Sequence, residues 1–177
     1  MLLSFLLLSV AVTPSGAQRV CNPKTHRNDV WKRACLDEDA QHALEHPSRM
    51  TVMSLDPTGH SANLFARIGE SLAYRHFHHF RLLGQATVTD SATRKRVAAS
   101  VESAVRDFNG LRAFCFNPRH VVRVTSGSQT YDFVICYECS SFQYFSGERE
   151  LGSISISGSS RTLDAILTAA HVPIAKD

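Results

Sequence analysis

Apolar and polar positions alternate over residues 50–57, "MTVMSLDP", and the run ends in a Pro-containing turn, the pattern of a half-buried strand. A second strand-like run, "FRLLGQATVT", follows at 80–89. A third and a fourth, "AFCFNPRHVVRVT" (113–125) and "YDFVICYECSSFQYF" (131–145), flank the short Gly-containing loop "SGSQ". Two β-rich runs around such a loop predict an antiparallel hairpin. Pro118 inside the first arm predicts a bulge or an edge there, because proline cannot donate to a ladder. "LGSISISG", 151–158, alternates strictly and predicts the last strand. Helical spacing governs Leu64, Phe65, Ile68 and Leu72. It returns in Val97, Val101, Val105 and Phe108, between a capping Asp90 and a terminating Asn109-Gly110. It closes the chain with Leu163, Ile166, Leu167 and Ala170, stopped by Pro173. The order strand, helix, strand, helix, three strands, helix predicts an α+β domain: an antiparallel sheet of about four to five strands with helices packed on one face.

Ahead of this domain the pattern changes twice. Residues 2–12, "LLSFLLLSVAV", are apolar apart from two serines, and Ser15 and Ala17 stand at −3 and −1 of a cut after Ala17. That predicts a secretory signal peptide over 1–17, too short to span a bilayer, although the usual basic start is missing. No later apolar run is long enough to cross a membrane, so the expected product is a soluble periplasmic or secreted protein. Residues 18–49 are polar and charged, with Val30, Trp31, Leu36 and Leu44 as the available anchors and a short helix expected near Asp37–His46. They read as an N-terminal appendage to a single domain over 50–177. After signal removal about 160 residues remain, enough for one domain with its own core.

Charge narrows the partners. The net charge is +3 with both signs mixed along the chain, and the densest basic cluster, "RKR" at 94–96, has no interleaved aromatics. It reads as a solvated helix face and not as a nucleic-acid groove.

Five cysteines follow the signal: Cys21, Cys35, Cys115, Cys136 and Cys139. Export permits disulfides, and an odd count leaves one sulfur to explain. A Cys21–Cys35 bridge would staple the polar segment. Four readings compete for the other three. Centring the hairpin on Gly127 sets Cys115 opposite Cys139, close to disulfide reach, with Cys115–Cys136 as the variant pairing. Cys115, His120, Cys136 and Cys139 also form a Cys₃His set suited to zinc, provided that 136–139 turn around the metal and do not run straight as a strand. A redox pair at Cys136 and Cys139 lacks the helix N-terminus that usually activates such thiols. Reduced cysteines can simply pack. On the Gly127-centred register Cys136 shares a face with Phe116, His120 and Glu138, while Arg119 shares the face of Tyr137. A one-residue slip would swap these assignments.

"NPRH", 117–120, sets an arginine and a histidine beside the proline. In a cleft Arg119 would act as a fork for an anionic group and His120 as donor or base, oriented by Glu138; the bland alternative is a strand-edge ion pair. "YRHFHHF", 74–80, carries His76, His78 and His79 and places His76 and His78 on one strand face as metal ligands can be, but exposed histidines entering a strand, with Phe77 and Phe80 packing, are the favoured reading. No serine stands in a G-x-S-x-G setting and no glycine run forms a phosphate cradle.

The segment "CFNPRHVVRV", a short loop and "YDFVICYECSSFQYF", preceded by "FHHFRLLGQATVTD", resembles an uncharacterised family of exported bacterial proteins with a C-F-x-P-R-H segment and a hairpin arm ending I-C-[FY]-E-C. Cys115, Pro118, Arg119, His120, Cys136, Glu138 and Cys139 match that paired motif, and Val121 departs from the small residue expected after the histidine. The resemblance implies a domain over roughly 50–174 and a site at the motif, and it brings no chemistry. Together these observations favour a binding or inhibitor-type module, such as one protecting against a toxin, over an enzyme, with a protein partner and no cofactor. Its expected binding residues are Arg119, His120, Tyr137 and Glu138. The competing expectation is a zinc protein, or an enzyme centred on Arg119, His120 and Glu138.

Overall fold

The structure is a computed structural model that describes residues 18–22, 35–58 and 75–175. Among these residues the elements are α1 (Glu38–Glu45), β1 (Arg49–Asp56), β2 (His76–Phe77), β3 (Phe80–Val88), α2 (Ser91–Arg106), β4 (His120–Ser126), β5 (Gln129–Cys136), β6 (Ser141–Ser146), β7 (Arg149–Ser155) and α3 (Arg161–Ala169). The expected signal peptide and the helix expected around Leu64–Leu72 lie outside the described residues. No described helix is long and apolar enough to cross a membrane.

The expectation of four to five strands is overturned. The molecule is dominated by one curled sheet of seven strands, ordered β2-β3-β1-β4-β5-β6-β7, with every neighbour antiparallel. Two strands account for the difference. His76–Phe77 folds back on β3 through a turn at His78-His79, both in the left-handed region at φ 45° and 72°. The run 131–145 is not one arm but two strands, parted by a turn over residues 137–140 in which Ser140 adopts φ 52° and its N–H donates to the Tyr137 carbonyl at 3.1 Å. Neither turn contains the glycine that usually marks such backbone.

The β4–β5 hairpin closes through two residues, Gly127 and Ser128, with Gly127 at φ 59°. Its register runs one residue away from the Gly127-centred expectation, so His120 faces Ile135 and Arg123 faces Asp132. Because strand side chains alternate, that slip exchanges the two faces for every residue of β5. β4 also starts only at His120, leaving Cys115 and Pro118 in an irregular stretch ahead of it.

One sheet face joins the helices in the main core: Val52, Val122, Phe133 and Tyr144 pack with Ala40 and Leu44 of α1, Val97 and Val101 of α2, and Leu163 and Leu167 of α3. Each fully buried leucine there stabilises by about 1.5–3 kcal/mol. The helices start where side chains can cap them: Asp37 accepts from the Asp39 N–H, and Asp90 from the Thr93 N–H at 2.7 Å. The opposite sheet face carries a smaller cluster of Met53, Leu55, Val121, Val134 and Phe145, covered by Phe77, Phe80 and Phe116.

Of the segment expected as an appendage, the described residues 18–22 and 35–49 contribute to the main core. Val20, Leu36, Ala43 and Leu44 are buried in it, and Asn22 donates to the Ser155 carbonyl of β7 at 3.0 Å. The buried Gln41 accepts from the Val20 N–H and donates to the Gln18 carbonyl and Glu45 carboxylate, which ties residues 18–20 to α1. A disulfide joins Cys21 to Cys35, as the spacing allowed, across an isolated antiparallel bridge.

Candidate functional site

The sheet, its β5–β6 turn and α3 converge on a pocket of about 470 Å³ whose polar lining includes Asn117, Arg119, His120, Tyr137, Glu138, Ser160 and Asp164. All four residues expected to bind therefore reach one pocket, but with partners that the sequence reading did not assign. His120, the first residue of β4, points to the helix side of the sheet and is almost fully buried. Its Nε2 lies 2.7 Å from Asp164 Oδ1 in the first turn of α3. Asp164 Oδ2 in turn accepts from the Ser160 hydroxyl at 2.5 Å. Ser160 stands at the N-cap of α3 but makes no side-chain cap, because its hydroxyl is committed to Asp164. A carboxylate only accepts, so Nε2 carries the hydrogen.

Electrostatics fit a neutral imidazole. Burial pulls the His120 pKa below its ordinary 6.5, and the bond and charge of Asp164 offset only part of that. The Tyr137 ring stands edge-on to His120 with centroids 6.1 Å apart. Burial, reinforced by the Asp164 charge, pushes the Tyr137 hydroxyl up to about 12, so it remains a donor at neutral pH. Gly158, at φ 141°, lets the chain pass between Ala104 and the Tyr137 ring, where a Cβ would lie 3.6 and 3.8 Å from them.

Arg119 NH1 pairs with Glu138 Oε2 at 2.7 Å across the mouth of the pocket. This corrects two expectations. Glu138 holds Arg119 and does not orient His120; that position is taken by Asp164, 44 residues along the chain from His120. The anion-binding fork is likewise already closed on a carboxylate. With His120 neutral, two carboxylates face one guanidinium, and the pocket suits a cationic or hydrogen-donating group better than an anion. The Ser160–Asp164–His120 chain also differs from a nucleophile relay, in which histidine stands between serine and acid. Here the acid is in the middle, so the hydroxyl is bonded to a carboxylate and not to the imidazole.

The cysteines are arranged differently from the expected cross-strand bridge. Residues 136–139 turn, and the bridge they close is Cys136–Cys139. Cys115 is not bonded to Cys139, but its Sγ lies 2.7 Å from that sulfur. The physical reason is the split of the long arm: a turn brings sulfurs three residues apart together, which a straight strand would send to opposite faces. Among the described residues no group of three or more His, Cys, Asp and Glu is placed to hold a metal ion, and the proposed set Cys115, His120, Cys136 and Cys139 is not such a group.

A second His–Asp pair, on the opposite face, had no place in the sequence reading. His78 turns inward through its left-handed backbone, stacks on Phe145 at 3.9 Å and meets Asp132 Oδ2 at 2.8 Å. Asp132, fully buried, also receives Arg123 as a fork at 2.6 and 2.8 Å, and the Arg123 guanidinium lies 4.6 Å over Phe77. Phe77 and Phe80 pack as expected, whereas the shared face of His76 and His78 is lost because β2 ends at Phe77. Asp132 inside the apolar "YDFVIC" and Arg123 inside "VVRVT" were the available signal. Comparison with protein-family models, with curated proteins and with solved structures gives no match for this chain.

Proposed function

We propose that the protein is a disulfide-stabilised, exported binding or inhibitor-type module that takes a cationic side chain of a protein partner in the His120–Tyr137–Asp164 pocket. The observation carrying this reading is the charge of the lining: among the described residues, Asp164 and Glu138 against Arg119, with burial holding His120 toward its neutral form. A lysine or arginine side chain entering there meets carboxylate oxygens and the Tyr137 ring, contacts that favour a desolvated cation. Reading the pocket as a binding site and not a reaction centre rests on the order of the Ser160–Asp164–His120 chain, which bonds the hydroxyl to the carboxylate and not to the imidazole. Export is supported by the amino-terminal pattern and by the two disulfides, which persist in oxidising compartments.

The test is a titration of the isotope-labelled protein with short peptides carrying lysine or arginine, against neutral and acidic controls. Basic peptides should move the backbone signals of His120, Tyr137 and Asp164, and Asp164→Asn should weaken that binding about tenfold or more, as expected for a lost charge-assisted bond. Equal or stronger response to acidic peptides would overturn the reading.

A further inference from the structure

Apart from the pocket, the Cys139 sulfur meets two others. The Cys136–Cys139 bridge is buried, and the exposed Cys115 carries its Sγ 2.7 Å from Cys139 Sγ. Backbone donors serve both bridged sulfurs: the Asn117 N–H reaches Cys139 Sγ at 3.3 Å, and the Cys139 N–H reaches Cys136 Sγ at 3.1 Å. N–H groups aimed at sulfur favour the thiolate, the form that attacks and leaves in exchange. A thiol placed against one end of a bridge whose sulfurs are otherwise sealed from solvent has the arrangement for exchange with it.

We propose that Cys115, Cys139 and Cys136 form a thiol–disulfide exchange centre in which Cys115 is the entry point for a thiol substrate. In the first step the Cys115 thiolate attacks Cys139 Sγ. The Cys115–Cys139 bond forms, the Cys136–Cys139 bond breaks, and Cys136 leaves as a thiolate that takes up a proton. No electrons enter or leave the protein, and the bridge now ends on the exposed sulfur. An external thiolate can then attack Cys115 Sγ, giving a mixed disulfide at Cys115 and releasing Cys139 as a thiolate. A second external thiolate attacks the external sulfur of that mixed disulfide and frees Cys115. Two external thiols become one disulfide, and one protein bridge becomes two thiols.

Reduction by glutathione tests the centre, with disulfide mapping by mass spectrometry after acid quench and the Cys21–Cys35 bridge as internal reference. In the wild-type protein the transient glutathione adduct should map to Cys115. In Cys115→Ser, and equally in Cys115→Ala, reduction of Cys136–Cys139 should slow about tenfold or more, because the buried sulfurs lose their exposed relay. Reduction of Cys21–Cys35 should keep its rate in both variants, which checks that the fold is retained. An unchanged Cys136–Cys139 rate, or an adduct on Cys136 or Cys139, would overturn the proposal.

Discussion

Two histidine–carboxylate pairs of similar length lie on opposite faces of the same sheet, and their surroundings separate them. His78–Asp132 is closed: the carboxylate also holds the Arg123 fork, and aromatic rings of Phe77 and Phe145 flank the imidazole and the guanidinium. His120–Asp164 is open: Asp164 is one-third exposed, its second oxygen holds only the Ser160 hydroxyl, and a pocket begins beside it. Identical chemistry thus serves packing where both carboxylate oxygens are answered by histidine and arginine, and is available to a ligand where one edge faces solvent. The contrast also explains why a charge in the middle of a central strand is tolerated. Asp132 pairs directly with Arg123 across β4–β5 and is never an isolated buried ion.

The sharpest way to break this comparison is to remove each acid. Asp132→Ala strands a buried histidine and a partly buried guanidinium, and should cost about 3 kcal/mol, the low end for a broken buried pair because Arg123 reaches water. Asp164→Ala should cost about 1–2 kcal/mol, the loss of hydrogen bonds at a part-exposed group. Urea unfolding of the two variants measures both, and the reverse ranking would contradict the division into a closed and an open pair.

Acid should separate the pairs next. Burial holds the His120 pKa below 6.5, so the unfolded chain takes up that proton first. The stability contributed by neutral His120 is complete above about pH 6.5 and is lost as pH falls through the folded value. For Asp132, burial pushes the pKa up, but the bonds from Arg123 and His78 outweigh it and the net shift is downward. Its contribution is present above about pH 3.9 and is lost only below that. Melting temperature against pH should therefore fall in two stages, and His120→Gln should flatten the upper one while leaving the lower. A variant that keeps the full slope between about pH 7 and 5 would contradict the assignment. The smallest effect belongs to Ser160→Ala, which removes one hydroxyl from Asp164 and should cost about 0.5–1.5 kcal/mol of stability in the same unfolding assay.

The helices were legible where periodicity and caps agreed. Val97, Val101 and Val105 behind Asp90 predict α2, and Leu163 and Leu167 predict the buried side of α3. The strand count was not, because the 137–140 turn lies inside an apolar run without glycine or proline, and Ser140 takes the left-handed backbone in their place. The hairpin register was recoverable. Setting Arg123 opposite Asp132, the opposite-charge pair nearest the loop, requires the two-residue Gly127-Ser128 turn that the structure has. Arg119, His120, Tyr137 and Glu138 were named from "NPRH" and its neighbour arm, whereas Asp164 was not, since its link to His120 exists only after α3 packs on the sheet. The polar composition of residues 18–49 concealed how few apolar side chains, Val20, Leu36 and Leu44 among them, suffice to bring its described residues into the core.

The central claim is that the open pair binds and the closed pair only holds the fold. The most direct measurement compares backbone signal changes at both pairs in one titration with a lysine- or arginine-bearing peptide. The account predicts changes at His120, Tyr137 and Asp164 and none at His78, Arg123 and Asp132, with Asp164→Asn weakening the response about tenfold or more while the fold persists. Changes centred on His78 and Asp132, or a response that survives Asp164→Asn at full strength, would contradict it.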